Sequence, residues 1–204
     1  MTADWIAENI VEIFGAVTGI AYVILEIRRN IWLWPLGILT SAVYIYVFGR
    51  EGFYANMGLQ VYYLVISVYG WYEWRRGPVM EQTDRESDVR RIGAITAAWC
   101  TVSSLALWAG LWFILDRATD SPVPLWDGLI ASLSVVATWM LTRKYLEQWY
   151  VWIIANAIAV AVYLASGLYP TAVLFMVYFV MAIFGVREWN KSFAIRKYTD
   201  PRRG

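Results

Sequence analysis

Residues 142–156 read TRKYLEQWYVWIIAN. Two adjacent cations, Arg143 and Lys144, end one apolar run, and Trp149 opens the next. The same arrangement stands 115 residues earlier, where Arg28 and Arg29 close an apolar run and Trp34 follows. Held at that offset, Glu12 falls on Asp127, Gly52 on Gly167, Tyr54 on Tyr169 and Tyr63 on Tyr178. YGWYEW (residues 69–74) falls on FGVREW (residues 184–189), and no gap is needed anywhere. One matched pair means little, but a register that holds across three apolar runs is an internal repeat.

The composition says what kind of repeat this is. Of 204 residues, 60% are hydrophobic and 16% are charged. A soluble domain runs nearer 45–50% and about 25%. The numbers fit a multispan membrane protein. Net charge is +1, so no basic field exists to attract nucleic acid. Histidine is absent, which removes the commonest proton relay and metal ligand. The one cysteine, Cys100, lies in an apolar run and reads as a small buried residue. The N-terminal stretch MTADWIAENIVE has no Lys or Arg, so it does not read as a signal peptide. The first apolar run is expected to stay as a span.

About 20 apolar residues cross a bilayer as a helix. Seven segments qualify, at residues 10–27, 31–48, 53–74, 92–115, 125–141, 149–165 and 169–186. A polar loop with Pro78 separates the third from the fourth, and a shorter one with Asp116, Arg117, Asp120, Pro122 and Pro124 separates the fourth from the fifth. Lys and Arg sort by side. Arg28, Arg29, Arg75, Arg76, Arg85, Arg90, Arg91, Arg143, Lys144, Arg187, Lys191, Arg196, Lys197, Arg202 and Arg203 fall on one side, and only Arg50 and Arg117 on the other. The positive-inside rule then places the N-terminus outside and the C-terminus in the cytoplasm.

The expected fold is therefore an all-α integral membrane protein with seven transmembrane helices in a 3+1+3 order. Residues 1–91 form the first three-helix repeat and its cytoplasmic loop, 92–115 a linker helix, 116–189 the second repeat, and 190–204 a basic tail expected to be partly disordered. A three-span repeat ends on the opposite side from its start, so a parallel second copy needs the extra crossing. Parallel repeats of this kind carry a substrate site near the midplane, where they meet.

Polar residues inside spans are costly and face the bundle interior. Asn56, Gln60, Tyr63 and Ser67 form one stripe, spaced four, three and four. Thr40, Ser41 and Tyr44 lie in the second span. Trp149, Trp152 and Asn156 share a face of the sixth. In the register Trp34 pairs with Trp149, Gly37 with Trp152, and Ser41 with Asn156. The fold is symmetric and its lining is not, which suits an asymmetric ligand. The candidate substrate-binding set is Trp152, Asn156, Gln60, Trp149, Thr40, Tyr63 and Asn56. Trp149, near a span end, fits an interfacial belt equally well, and Asn156 could serve as helix–helix glue. Gly15 and Gly19 read as close helix packing. Glu12 and Asp127, at corresponding span starts, read either as attractors of a cationic solute or as charges favourable at helix N-termini.

No phosphate-binding loop, metal-protease motif or Cys/His cluster is present. No metal, no cofactor and no catalytic residue is expected. With carboxylates confined to span ends, passive alternating access is the simpler reading. A non-transporting receptor or scaffold stays compatible with composition alone.

Trp149-x-x-Trp152-x-x-x-Asn156 resembles the W-x-x-W-x-x-x-N/D signature of the PnuC-type nicotinamide riboside transporters. TRKYLEQW (residues 142–149) and LQVYYLVISVYGWYEW (residues 59–74) are also similar to that family, and the resemblance covers nearly the whole chain in the same order. It implies a bacterial inner-membrane importer, related in architecture to the sugar-transporting SWEET proteins. It implies facilitated diffusion, with a cytoplasmic kinase trapping the substrate as its phosphate. Relatives with similar signatures carry thiamine. Both ligands are cationic heteroaromatics, which aromatic faces stabilise. The expected partners are such a substrate, the lipid bilayer and the kinase, with a homo-oligomer left open.

Overall fold

The computed structural model describes residues 10–51, 54–76, 89–119 and 122–199. Seven helices appear among them: α1 (Ile10–Ile27), α2 (Leu33–Glu51), α3 (Tyr54–Arg76), α4 (Ala94–Ala118), α5 (Pro124–Thr142), α6 (Gln148–Ala165) and α7 (Tyr169–Thr199). Pro78 and Asp120 lie outside the described residues. Each helix matches one apolar segment. Four are long and apolar enough to cross a membrane, at Ala94–Arg117, Pro124–Thr142, Gln148–Ala165 and Tyr169–Ser192, and Ile13–Ile27 is apolar but shorter. α2 and α3 fall below that hydropathy because they are rich in Tyr and carry Thr40, Ser41, Asn56 and Gln60. Tyrosine scores poorly on hydropathy yet suits a membrane interface.

Three expectations are corrected. α7 does not stop at residue 186 but continues to Thr199, because residues 187–199 contain no Gly or Pro to end it. Asp116 and Arg117 belong to the last turn of α4 rather than to a loop. Cys100 also differs from its reading: it is half-exposed on α4, the helix that buries least of its surface.

The chain divides into two compact units, Met1–Val68 and Tyr69–Gly204, with α3 running through the boundary. In the first unit α1 packs on α2. A Cβ on Gly15 would overlap the Tyr44 hydroxyl, which donates to the Val11 carbonyl at 3.2 Å. Gly15 is thus the close-packing position its small size suggested. Gly37 of α2 is enclosed in the same way, since a Cβ there would lie 2.8 Å from Ser67 Oγ and 3.1 Å from the Tyr22 ring. In the second unit α4 packs on α5, α5 on α6, and α6 on α7. Gly128 of α5 sits against the Trp112 backbone of α4, and Trp108 Nε1 donates to the Leu125 carbonyl at 2.9 Å.

Two helix ends 115 residues apart share one backbone geometry. α1 closes with Arg29 at φ 51°, and α5 closes with Lys144 at φ 55°. Arg29 N–H donates to Glu26 O and Asn30 N–H to Leu25 O, while Lys144 N–H donates to Leu141 O and Tyr145 N–H to Met140 O. Both corners are Schellman caps with a cation in the left-handed position. The next turns match too: Leu33 N–H reaches Asn30 O and Trp34 N–H reaches Ile31 O, as Gln148 reaches Tyr145 O and Trp149 reaches Leu146 O. α6 ends in a third Schellman cap, with Gly167 at φ 72°.

Candidate functional site

In the second unit the candidates lie on one line of α6. Trp149 is buried over Gly185 of α7. A Cβ on that glycine would lie 2.5 Å from the indole, and Trp189 meets the Trp149 ring edge-on with centroids 5.7 Å apart. Trp149 therefore joins α6 to α7, and its Nε1 is buried with no partner among the described residues. Trp34, its counterpart, is 0% exposed. Trp152 is partly exposed, but its Nε1 is buried and also lacks a partner there. Asn156, one turn on, is 5% exposed, and its side chain makes no hydrogen bond among the described residues.

Trp152 stands where the first unit has Gly37. Tyr22 and Ser67 enclose Gly37, and the residues 115 further on are Ala137 and Ala182, both fully buried. The register thus pairs the gain of an indole on α6 with the loss of the Tyr22 ring and the Ser67 hydroxyl, the kind of exchange a close-packed interior favours.

Sequence reasoning missed Gln148. It is 0% exposed, and neither its amide nitrogen nor its amide oxygen finds a partner among the described residues. Gln148, Trp152 and Asn156 are spaced four and four, so they form a single column along α6. An amide in the first turn of a helix reads as surface or cap, and only packing reveals it as buried. The available signal was the register, in which Gln148 replaces Leu33.

The column leads, through buried Ala159, to Tyr163. Tyr163 meets Phe175 at 5.2 Å, Phe175 meets Tyr178 at 5.8 Å, and Asp127 in the first turn of α5 lies within electrostatic reach of Tyr163. The other end is pinned by polar contacts. Arg143 donates to Glu73 at 3.2 Å and to the Tyr69 hydroxyl at 2.5 Å. Lys144 lies 4.6 Å from the Trp74 ring, whose Nε1 donates to the Thr142 carbonyl at 3.2 Å. Glu147 accepts from Ile92 N–H at 3.0 Å and from Arg91 at 3.3 Å, and Arg91 also donates to Asn190.

In the first unit the candidates are graded by burial. Along α3, Asn56 is exposed, Gln60 and Tyr63 are half-buried, and Ser67 is buried. Tyr63 packs edge-on to Tyr62, with centroids 5.5 Å apart. On α2, Thr40 is half-buried and spends its hydroxyl on the Leu36 carbonyl at 2.9 Å, while Ser41 is buried. Among the described residues no group of His, Cys, Asp or Glu could hold a metal ion.

The set offers neutral hydrogen-bonding groups and indole in an apolar helix, which is how small-molecule sites fix a polar ligand. Comparison with known proteins points the same way. The family model described as nicotinamide mononucleotide transporter matches residues 9–191. The chain is similar to the nicotinamide riboside transporter PnuC of Escherichia coli, 27% identical over 206 residues, covering 89% of this chain and 85% of that one. It is also similar to the riboflavin/roseoflavin transporter RibM of Streptomyces davaonensis, 26% identical over 190 residues, covering 87% and 83%. The crystal structure of the vitamin B3 transporter PnuC matches with a TM-score of 0.74 at 21% identity, covering 93% of this chain and 84% of that one.

Proposed function

This chain belongs to the nicotinamide mononucleotide transporter family of multi-pass membrane proteins, and on that premise we propose that it imports nicotinamide riboside across the inner membrane. Relatives named for that substrate support the reading. The observation that carries it, and that favours the riboside over its phosphate, is where the cations stand. Every Lys and Arg of the seven helices lies in a last turn or beyond the apolar run, and none lies mid-span. A phosphate taken into such a span would lose its water with nothing to pair it, at a cost of many kcal/mol. A riboside carries one delocalised positive charge and several hydroxyls, which indole faces and amides can accommodate.

In this reading Trp152 and Asn156 contact the substrate, and Trp149 supports them by fixing α6 against α7. Gln60, Thr40, Tyr63 and Asn56 are the first unit's candidates for the same task. The seven helices follow a 3+1+3 order, supported by the matched caps at Arg29 and Lys144. The Lys/Arg bias supports an outside N-terminus and a cytoplasmic C-terminus. Transport is facilitated diffusion by alternating access, and a cytoplasmic kinase traps the product.

A second reading, riboflavin as substrate, is favoured by the similarity to RibM. Competition in proteoliposomes separates the two. Unlabelled riboside should suppress labelled-riboside counterflow where riboflavin, thiamine and the mononucleotide do not. Counterflow of labelled riboflavin with none of labelled riboside would replace the first reading with the second.

A further inference from the structure

Gln148 presents an unusual cost. A buried amide with neither atom hydrogen-bonded is destabilising unless something else satisfies it. Its surroundings do not require an amide. The register places Leu33 at the same point of the first unit, and Leu33 is also 0% exposed. The backbone there is the same in both units, since Leu33 N–H bonds Asn30 O as Gln148 N–H bonds Tyr145 O. The fold thus fills this position with an apolar side chain in one unit and an unpaired polar one in the other. Gln148 also lies on the column of Trp152 and Asn156, toward the Lys/Arg-rich end of α6. From Gln148 to Asn156 the column spans about 12 Å of helix, enough for a nucleoside-sized ligand.

We propose that Gln148 is a further substrate-contacting residue, the last hydrogen-bonding station on α6 before release at the Lys/Arg-rich side. Its amide donates to and accepts from the hydroxyl or carboxamide groups of the ligand. The proposal rests on the nicotinamide riboside reading and extends it by one turn of helix.

Gln148→Met keeps the side chain's length and Gln148→Leu restores the first unit's residue. Both variants are measured in the full-length protein, by thermal unfolding and by the concentration dependence of nicotinamide riboside counterflow. The expected result is a melting temperature equal to or above wild type, with KM raised on the order of tenfold, the size of one or two lost hydrogen bonds, and the maximal rate less affected. An unchanged KM, or a lowered melting temperature, would overturn the proposal, the latter because the amide would then be part of the packing. Failure of the substrate reading shows separately, as absent riboside counterflow in the wild type. Should the wild type move riboflavin instead, the same KM comparison on riboflavin decides in the same way.

Discussion

Arg29 and Lys144 stand 115 residues apart and are the two non-glycine residues with positive φ among the described ones, at 51° and 55°. A left-handed backbone costs an ordinary residue about 1–2 kcal/mol. Two equal strains at equal offset, each with the same backbone hydrogen bonds, mean that one corner has been used twice. The cations offset part of that cost, since a positive charge at a helix C-terminus is favourable. Lys144 gains further from the face of Trp74.

Lys144→Val should destabilise the protein by about 1–2 kcal/mol, because a β-branched residue tolerates the left-handed region poorly. Lys144→Gly should lose little, as backbone relief offsets the lost Trp74 contact. Thermal unfolding in detergent checks both. Equal losses in the two variants would mean that the ammonium, not the backbone, holds this corner.

Gly185→Ala should destabilise by about 1–3 kcal/mol, since the added methyl meets the Trp149 ring at 2.5 Å. Pairing it with Trp149→Leu should recover part of the loss. A Gly185→Ala protein that melts like wild type would show that α6 and α7 can separate freely at this level.

Arg143 and Glu73 should couple weakly. Their side chains are 39% and 36% exposed, so solvent screens the pair. A double-mutant cycle with alanine at each should give a coupling below about 1 kcal/mol, reduced further by salt. A much larger coupling would mean that the corner is more closed to water than its exposure indicates.

Most of the fold was legible because apolar runs, cation pairs and a gap-free register all gave the same segmentation. The segment at residues 10–27 coincides with α1. α7 was underestimated because hydropathy ends with the membrane, whereas a helix ends only where its backbone is interrupted. The site was legible in part. Trp152 and Asn156 announce themselves as departures from the repeat, but the balance of Tyr22 and Ser67 against Ala137 and Ala182 needs the helices in contact. Trp149 was ambiguous until Gly185 and Trp189 were seen against it. Gln148 was missed because an amide in a first helical turn reads as surface; its replacement of Leu33 in the register was the one hint, and packing was needed to show its burial.

Asp127→Asn combined with Glu12→Gln should slow riboside uptake at low ionic strength and converge with wild type as salt rises, if these carboxylates steer a cationic substrate. Asp127 stands in the first turn of α5, and the side chain of Glu12 lies outside the described residues. Initial uptake rates across a salt series are the readout. Salt-independent kinetics in both proteins would leave the carboxylates with their role at the helix N-termini alone.

In the proposed function, neutral amides and indole within the span carry nicotinamide riboside. The most direct measurement is counterflow of labelled nicotinamide riboside in proteoliposomes, comparing wild type with Asn156→Ala and Gln60→Ala. Robust counterflow is expected in the wild type, with roughly a tenfold or greater loss of transport efficiency when the Asn156 amide is removed, Gln60→Ala also impaired, and both variants folded. Full transport in both variants would contradict that function.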